Sequence, residues 1–168
     1  MEFMELVRAR RSVRRYRGEA APAELVAKVL EAVRMAPTAG NFQAYEVYLV
    51  SGEQRMQALA GATFNHEWIA QAPMALVVCS HAARCEYEPK EHWALQDASI
   101  AATFAHLALA DLGLASCWVG AFIPAKVAAV VEAEEGHVPL AVLPFGYADE
   151  VPQESPRRAV EEFVHQRE

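Results

Sequence analysis

The sequence has little cysteine and lacks the segments that export a protein or span a membrane. Its three cysteines are an odd number, which does not fit a disulfide framework. The first residues alternate acidic and apolar side chains, without the basic and apolar regions of a secretion signal. The most apolar stretch, residues 94–112, contains amide, acidic and imidazole groups that a membrane span would bury at high cost. We therefore expect a cytoplasmic protein with reduced thiols and no membrane partner.

Basic residues are scarce outside one short segment. The chain has 15 Lys and Arg against 22 Asp and Glu, a formal net charge of −7, yet six arginines lie between Arg8 and Arg17. A predominantly acidic surface repels polyanions, so we predict no nucleic-acid partner. The concentrated arginines either bind one anion or form a solvated helix end.

The glycine-rich loops that commonly bind phosphate are also missing. Neither G-x-G-x-x-G nor G-x-x-x-x-G-K-[ST] occurs. The pattern Arg10-Arg11-Ser12-x-Arg14 offers another solution, because guanidinium groups match phosphate oxygens and a serine hydroxyl adds a neutral hydrogen bond. A bound nucleotide would then be held by side chains.

Metal and nucleophile motifs are weak. Cys79, His81, Cys85 and His92 are possible zinc ligands, but none of them forms a C-x2-C pair, so we predict no metal site. No serine lies in G-x-S-x-G. His106, on an apolar helix, is predicted to be a buried structural histidine. No catalytic side chain is nominated.

Hydrophobic periodicity predicts one α+β domain over residues 1–168. Helices are expected at residues 2–10, 22–35, 53–60, 67–71 and 94–112 and from Pro124, and strands at 45–50, 74–79, 116–122 and 141–146. A polar loop, Pro37–Gln43, precedes the first strand. Its hydroxyl and amide groups suit the edge of a pyrimidine-like ring, or they serve only to form a turn.

Seven segments in this order resemble the short members of the nitroreductase family of FMN-dependent oxidoreductases. They are Arg10-Arg-Ser-Val-Arg14, Ala36-Pro-Thr-Ala-Gly-Asn-Phe-Gln43, Ala72-Pro73, Gln96-Asp-Ala, Leu112-Gly-Leu-Ala-Ser-Cys-Trp-Val-Gly120, Leu143-Pro-Phe-Gly-Tyr147 and Pro156-Arg157. The resemblance implies a three-layer fold with a mostly antiparallel central sheet flanked by helices. It also implies an intertwined homodimer with FMN at the interface, and a C-terminal tail, about residues 151–168, that extends onto the partner.

The resemblance further implies which residues bind the cofactor. The phosphate and ribityl group would be bound by Arg10, Arg11, Ser12, Arg14, Arg157 and Arg158. A loop from the other subunit would supply Pro37, Thr38, Asn41 and Gln43. Asn65 would contact the ring edge, and the backbone at Val119 and Gly120 would approach flavin N5.

The implied activity is hydride transfer from NADH or NADPH through flavin N5 to a nitroaromatic, quinone or similar acceptor, by a ping-pong mechanism. The cofactor carries the difficult chemistry in such enzymes. Two alternatives stay open: a flavin-binding protein without NAD(P)H turnover, and a specialised relative that consumes flavin or removes halogen.

The chain departs from the family pattern at two places. Gln43, Ala44 and Tyr45 stand where members commonly have Gln-Pro-Trp, and the insertion that forms a helical lid in longer members is missing. Residues 81–93 either form a wall over the flavin or are an ordinary surface loop.

Overall fold

The structure, a computed structural model, describes residues 2–64 and 66–167. In these ranges the α-helices are α1 (Phe3–Ala9), α2 (Ala23–Arg34), α3 (Glu53–Gly61), α4 (Lys90–Asp111) and α5 (Pro124–Val131). The strands are β1 (Tyr45–Ser51), β2 (Met74–His81), β3 (Ala115–Ser116) and β4 (His137–Gly146). Short 3-10 turns occupy Ala39–Asn41, Glu67–Gln71, Ala82–Arg84 and Val160–Glu162. Within the described ranges, no helix is both long and apolar enough to cross a membrane.

The four strands form one antiparallel sheet in the order β1-β2-β4-β3. The first six residues of β2 are buried, as expected for a central strand covered on both faces. Successive side chains point to opposite faces. Leu76 and Val78 pack in one core with α2 and α4, while Ala75 and Val77 pack in a second core with α3 and α5. The predicted three-layer α+β arrangement is confirmed.

Helix α4 is the alanine-rich centre of one layer. Its alanines at positions 94, 98, 101, 102 and 105 are fully buried, so the sheet and α2 can approach closely. It begins at Lys90, four residues before the predicted start, because its polar first turn carries no apolar periodicity. It ends as predicted, with Gly113 at φ 75° and the Leu114 N–H donating to the Leu109 carbonyl.

Two strand predictions were wrong in their limits. Of the predicted strand 116–122, only Ser116 belongs to β3, which starts one residue earlier at Ala115, because the chain then turns toward residues 63 and 64. In contrast, β4 begins at His137 rather than at 141. A register shift opposite Val78 and Cys79 accommodates Pro139, which interrupts the apolar run.

Candidate functional site

Residues 10–17 form an extended strap between α1 and the β3–β4 end of the sheet. The Val13 N–H donates to the Ser116 carbonyl at 3.1 Å, and the Arg17 N–H donates to the Tyr147 carbonyl at 2.9 Å. Tyr16 is buried, and its hydroxyl donates to the Pro144 carbonyl at 3.1 Å. Backbone pairing and two buried side chains, Val13 and Tyr16, therefore fix the strap on the sheet.

The strap and the C-terminal tail enclose a polar cavity of about 230 Å³. Its lining residues are Arg10, Arg11, Ser12, Arg14, Pro152, Gln153, Ser155 and Arg157. Burial, and then the positive charge of Arg157, lowers the pKa of Arg10 from its ordinary value. Guanidinium groups crowded around a serine hydroxyl form a site suited to a phosphate-like anion.

Arg10 is held by a buried histidine on α4. One guanidinium nitrogen of Arg10 lies 2.9 Å from His106 Nε2, and His106 Nδ1 lies 2.6 Å from Ser116 Oγ. Burial, followed by the charge of Arg10, lowers the pKa of His106 to about 4. The imidazole is therefore neutral near pH 7. Because arginine only donates, Nε2 accepts from Arg10, and Nδ1–H donates to Ser116.

The prediction that His106 is buried and hydrogen-bonded is confirmed, but its contact with Arg10 was missed by sequence reasoning. A histidine at the far end of an apolar helix gives no local sign that it faces the arginines. Only the packing of α1 and β3 against α4 brings the three elements together.

The other predicted arginines differ in position. Arg11 lines the cavity, donates to the carbonyls of Arg8 and Arg10, and lies 3.6 Å from a carboxylate oxygen of Glu154. Arg158 is not among the lining residues; its guanidinium carbon lies 5.4 Å from the centre of the Phe163 ring. The structure thus brings Arg157, but not Arg158, to the strap.

The Pro37–Gln43 loop is held by a different residue of α4. Asp97, only 1% exposed, accepts from the Ala39 N–H at 2.9 Å and from the Ala44 N–H at 3.2 Å. The Thr38 hydroxyl accepts from the Gln43 N–H at 3.2 Å. One buried carboxylate therefore fixes both ends of the loop. Sequence reasoning missed this role, although Asp97 is an isolated charge in an apolar helix.

The backbone of the loop contains three left-handed residues. Gly40, Asn41 and Gln43 have φ values of 54°, 58° and 51°. Glycine adopts this conformation readily, and asparagine does so more often than most residues. Glutamine has no such preference, so its positive φ is unfavourable. The hydrogen bond from the Gln43 N–H to the Thr38 hydroxyl holds Gln43 in this strained conformation. Strained backbone of this kind is found at ligand-binding sites.

The loop and the strap lie apart within one chain. Their anchors, Asp97 and His106, are separated by about 14 Å along α4, from a rise of about 1.5 Å per residue. Pro37 and Asn41 are exposed, and Thr38 and Gln43 are half-buried. The structure of one chain therefore does not bring these four residues to the arginines.

Three predicted cofactor contacts remain, at Val119, Gly120 and Asn65. The Val119 N–H and carbonyl are both paired with Val142 at 2.9 Å, so Val119 has no free backbone donor. Gly120 is exposed, and the nearest group to an added Cβ would be Trp118 Nε1 at 3.7 Å. Asn65 lies outside the described residues.

Residues 81–93 pack against the Pro37–Gln43 loop of the same chain. The Tyr87 ring lies edge-on to Phe42, with centroids 4.9 Å apart, and Arg84 Nε donates to the Phe42 carbonyl at 3.3 Å. Cys79 and Cys85 are buried in separate cores, and burial raises the pKa of Cys79 to about 12. Among the described residues, the four possible zinc ligands of the sequence are not gathered into one group.

Comparisons with known proteins agree with this architecture. Residues 7–66 and 54–147 match the model of the nitroreductase family. A relative from Methanothermobacter thermautotrophicus, whose name combines NADH dehydrogenase with NAD(P)H nitroreductase, is 28% identical over 156 residues, covering 90% of this chain and 80% of its own. An FMN reductase [NAD(P)H] of Bacillus subtilis is 26% identical over 182 residues, covering 98% and 73% of the two chains.

A solved structure extends the agreement to three dimensions. The nitroreductase family protein of Clostridium difficile 630 is 28% identical, with a TM-score of 0.87 over 98% of both chains. The sequence match and the shared fold therefore cover the same elements, including the strap, the polar loop and α4. This chain belongs to the nitroreductase family.

Proposed function

We propose that the chain is an FMN-dependent oxidoreductase that uses NADH or NADPH to reduce a nitroaromatic, quinone or similar acceptor by a ping-pong mechanism. Bound FMN would supply hydride transfer at N5. The observation that carries this proposal is the cavity in which Arg10, Ser12 and Arg157 meet. Membership of the family, and the NAD(P)H-dependent activities named for the relatives, support it.

The charge of the cavity fits the FMN phosphate. A phosphate monoester carries about −1.5 to −2 charges at pH 7. Arg10, Arg14 and Arg157 can neutralise it, whereas Arg11 already lies near Glu154. His106 adds no charge, because its pKa is about 4, and it leaves the other nitrogens of Arg10 free to donate to phosphate.

We further propose that the active form is a homodimer in which the Pro37–Gln43 loop of one chain completes the arginine cavity of the other. The exposed loop and its distance from the strap within one chain support this arrangement. An apolar groove of about 490 Å³, lined by Phe3, Phe104 and Leu107 among others, offers a surface for the partner. Phe3 is 64% exposed, and the contact of such a large apolar side chain with water is unfavourable in an isolated chain.

The whole chain is proposed to act as one domain whose tail, residues 151–168, extends onto the partner. The described part of the tail has exposed apolar side chains at Val151, Val160 and Phe163. Burying them against a second subunit would stabilise both chains. The three free, buried cysteines are compatible with a reducing compartment, which supports the cytoplasm as the location.

The first test is the visible spectrum of the full-length protein. We expect a yellow protein whose flavin absorbance is bleached by NADH or NADPH without oxygen and restored by a nitroaromatic or quinone. A protein that neither contains nor takes up FMN would refute the proposal. Bound FMN that stays oxidised with both nicotinamides would instead identify a flavin-binding protein without turnover.

A pair of neighbouring variants tests the phosphate site. Arg157→Ala should lower FMN affinity roughly tenfold or more, since a hydrogen bond to a charged group contributes about 1.5–3 kcal/mol. Arg158→Ala is the matched control and should bind FMN like the wild type, because Arg158 lies at Phe163 instead of in the cavity. Equal affinities of the two variants would contradict the assignment.

A further inference from the structure

A cluster of metal-ligating side chains lies outside the arginine cavity and the Pro37–Gln43 loop. Glu46, His81 and His137 each offer a ligand atom, and all of these atoms lie within 4.8 Å of one another. His81 Nδ1 is 3.0 Å from Glu46 Oε1, and the two imidazole centroids are 4.4 Å apart. We propose that these three residues bind a divalent transition-metal ion of the Zn²⁺ type.

The pairing of the strands positions all three residues. His81 at the end of β2 is directly opposite His137 at the start of β4. Glu46 on β1 is opposite Cys79, two residues before His81, so that it lies diagonally across the same face of the sheet. Side chains in such cross-strand positions are within reach of one another. The cluster is therefore set by three paired strands and not by a flexible loop.

The ligand set suits zinc. Two imidazole nitrogens and one carboxylate oxygen are a known three-residue zinc set, in which the fourth position is open to water or another ligand. Ligand atoms on a tetrahedral zinc are roughly 3.3 Å apart, given bonds of about 2.0–2.1 Å. His81 Nδ1 and Glu46 Oε1 are already 3.0 Å apart, and the most widely separated ligand atoms, within 4.8 Å of one another, would have to converge by up to about 1.5 Å. Side-chain exposures of 21% for His81 and 32% for Glu46 leave the site accessible to an ion.

The groups around His137 favour binding through Nε2. Its Nδ1 lies 2.6 Å from the Tyr48 hydroxyl, which also accepts the Glu134 N–H at 3.1 Å. Metal-ligating histidines usually have such a partner on the other ring nitrogen, which fixes the tautomer and the ring orientation. Tyr48 lies on the same face of β1 as Glu46, two residues further along. The same strands thus supply the ligands and a hydrogen-bonding partner for one of them.

One basic side chain competes for the carboxylate. A guanidinium nitrogen of Arg84 lies 3.6 Å from Glu46 Oε1. This pair is partly exposed and contributes little, so an ion bound by three ligands can displace it. The site shares no residue with the proposed flavin site, and it can therefore be tested whatever the outcome for FMN.

The experiment is a competition between the chelator-treated, tag-free full-length protein and a chromogenic zinc chelator. We expect a single Zn²⁺ per chain. His137→Gln and Glu46→Gln should each lower the affinity at least roughly tenfold, on the scale of losses seen when metal-site residues are changed. His165→Gln, which alters an exposed histidine of the tail, should bind like the wild type.

A second measurement does not depend on the folding of any variant. Co²⁺ added to the wild-type protein should give the intense visible absorption of a four-coordinate site, and Zn²⁺ should abolish it. The proposal is overturned if the wild type takes up no Zn²⁺ in the competition or gives no such absorption with Co²⁺. It is also overturned if folded His137→Gln and Glu46→Gln, checked by melting temperature, retain wild-type affinity.

Discussion

The strap at residues 10–17 and the loop at residues 37–43 are supported by the same helix in opposite ways. Against the cationic strap, α4 presents a neutral histidine, His106, which accepts from Arg10 without offsetting its charge. Against the uncharged loop, it presents a buried carboxylate, Asp97, which accepts two backbone N–H groups. A site that binds an anion must keep its positive charge, so a neutral partner suits Arg10. A loop with strained backbone needs a strong hydrogen-bond acceptor for its N–H groups, and a carboxylate provides one.

The comparison predicts that Asp97 contributes most to stability. Asp97→Ala removes the acceptor of two N–H groups, at about 1–3 kcal/mol for each donor left unsatisfied, so we expect a loss of about 4 kcal/mol in the free energy of unfolding. Urea denaturation measures it. The control is Asp149→Ala, because the side chain of Asp149 forms an exposed ion pair with Arg15 that should contribute about 0–1 kcal/mol. If the two variants lose similar free energies of unfolding, Asp97 does not anchor the loop.

The second prediction concerns pH and His106. Its pKa is about 4 in the folded protein and 6.5 in the unfolded chain, so the unfolded state binds more protons between these values. The stabilisation is fully present above pH 6.5 and is lost as the pH falls toward 4, by up to roughly 3 kcal/mol. The measurement is the difference in unfolding free energy between wild type and His106→Leu at pH 7 and at pH 4.5. A difference that does not shrink at the lower pH would contradict the assigned pKa.

The third prediction is the effect of His106 on the cofactor. In His106→Leu, the Arg10 guanidinium loses its acceptor and becomes free to move, so FMN affinity should fall about tenfold, which corresponds to about 1.4 kcal/mol. Fluorescence titration with FMN measures this change. Ser99→Ala is a suitable control, since this half-buried residue of α4 donates its hydroxyl to the Leu95 carbonyl of the same helix. An unchanged FMN affinity in His106→Leu would show that the contact with Arg10 does not position it.

The smallest of the expected effects on stability comes from the loop backbone. Gly40→Ala places a Cβ 2.6 Å from the Phe42 ring at a φ of 54°, and should destabilise the protein by about 1–2 kcal/mol. Gly61→Ala, at the exposed end of α3, meets no atom within 4 Å and should be neutral or stabilising by about 0.5 kcal/mol. Thermal melting compares the two. Equal melting temperatures would mean that the loop relaxes without cost.

Much of the fold could be predicted because local patterns specify it. The continuous apolar run of β2 and the alanine-rich, mostly apolar stretch of α4 were correctly identified as a strand and a helix. The predicted strand boundaries were wrong where pairing with a distant strand sets them. Val119 joins the sheet only through one bridge to Val142, and β4 extends to His137 because β2 continues to His81. Neither partner can be read from the neighbouring sequence.

Three features could be read from the amino acids alone: the concentration of positive charge at residues 8–17, the polar loop before β1, and the apolar helix at the centre of the fold. Folding in three dimensions places Arg157, and not Arg158, in the cavity with Arg10, and it brings His106 to the strap and Asp97 to the loop. It also brought Glu46, His81 and His137 together. The physical reason is that charge and periodicity are local properties, whereas these contacts depend on strand order and helix packing between residues far apart in the chain.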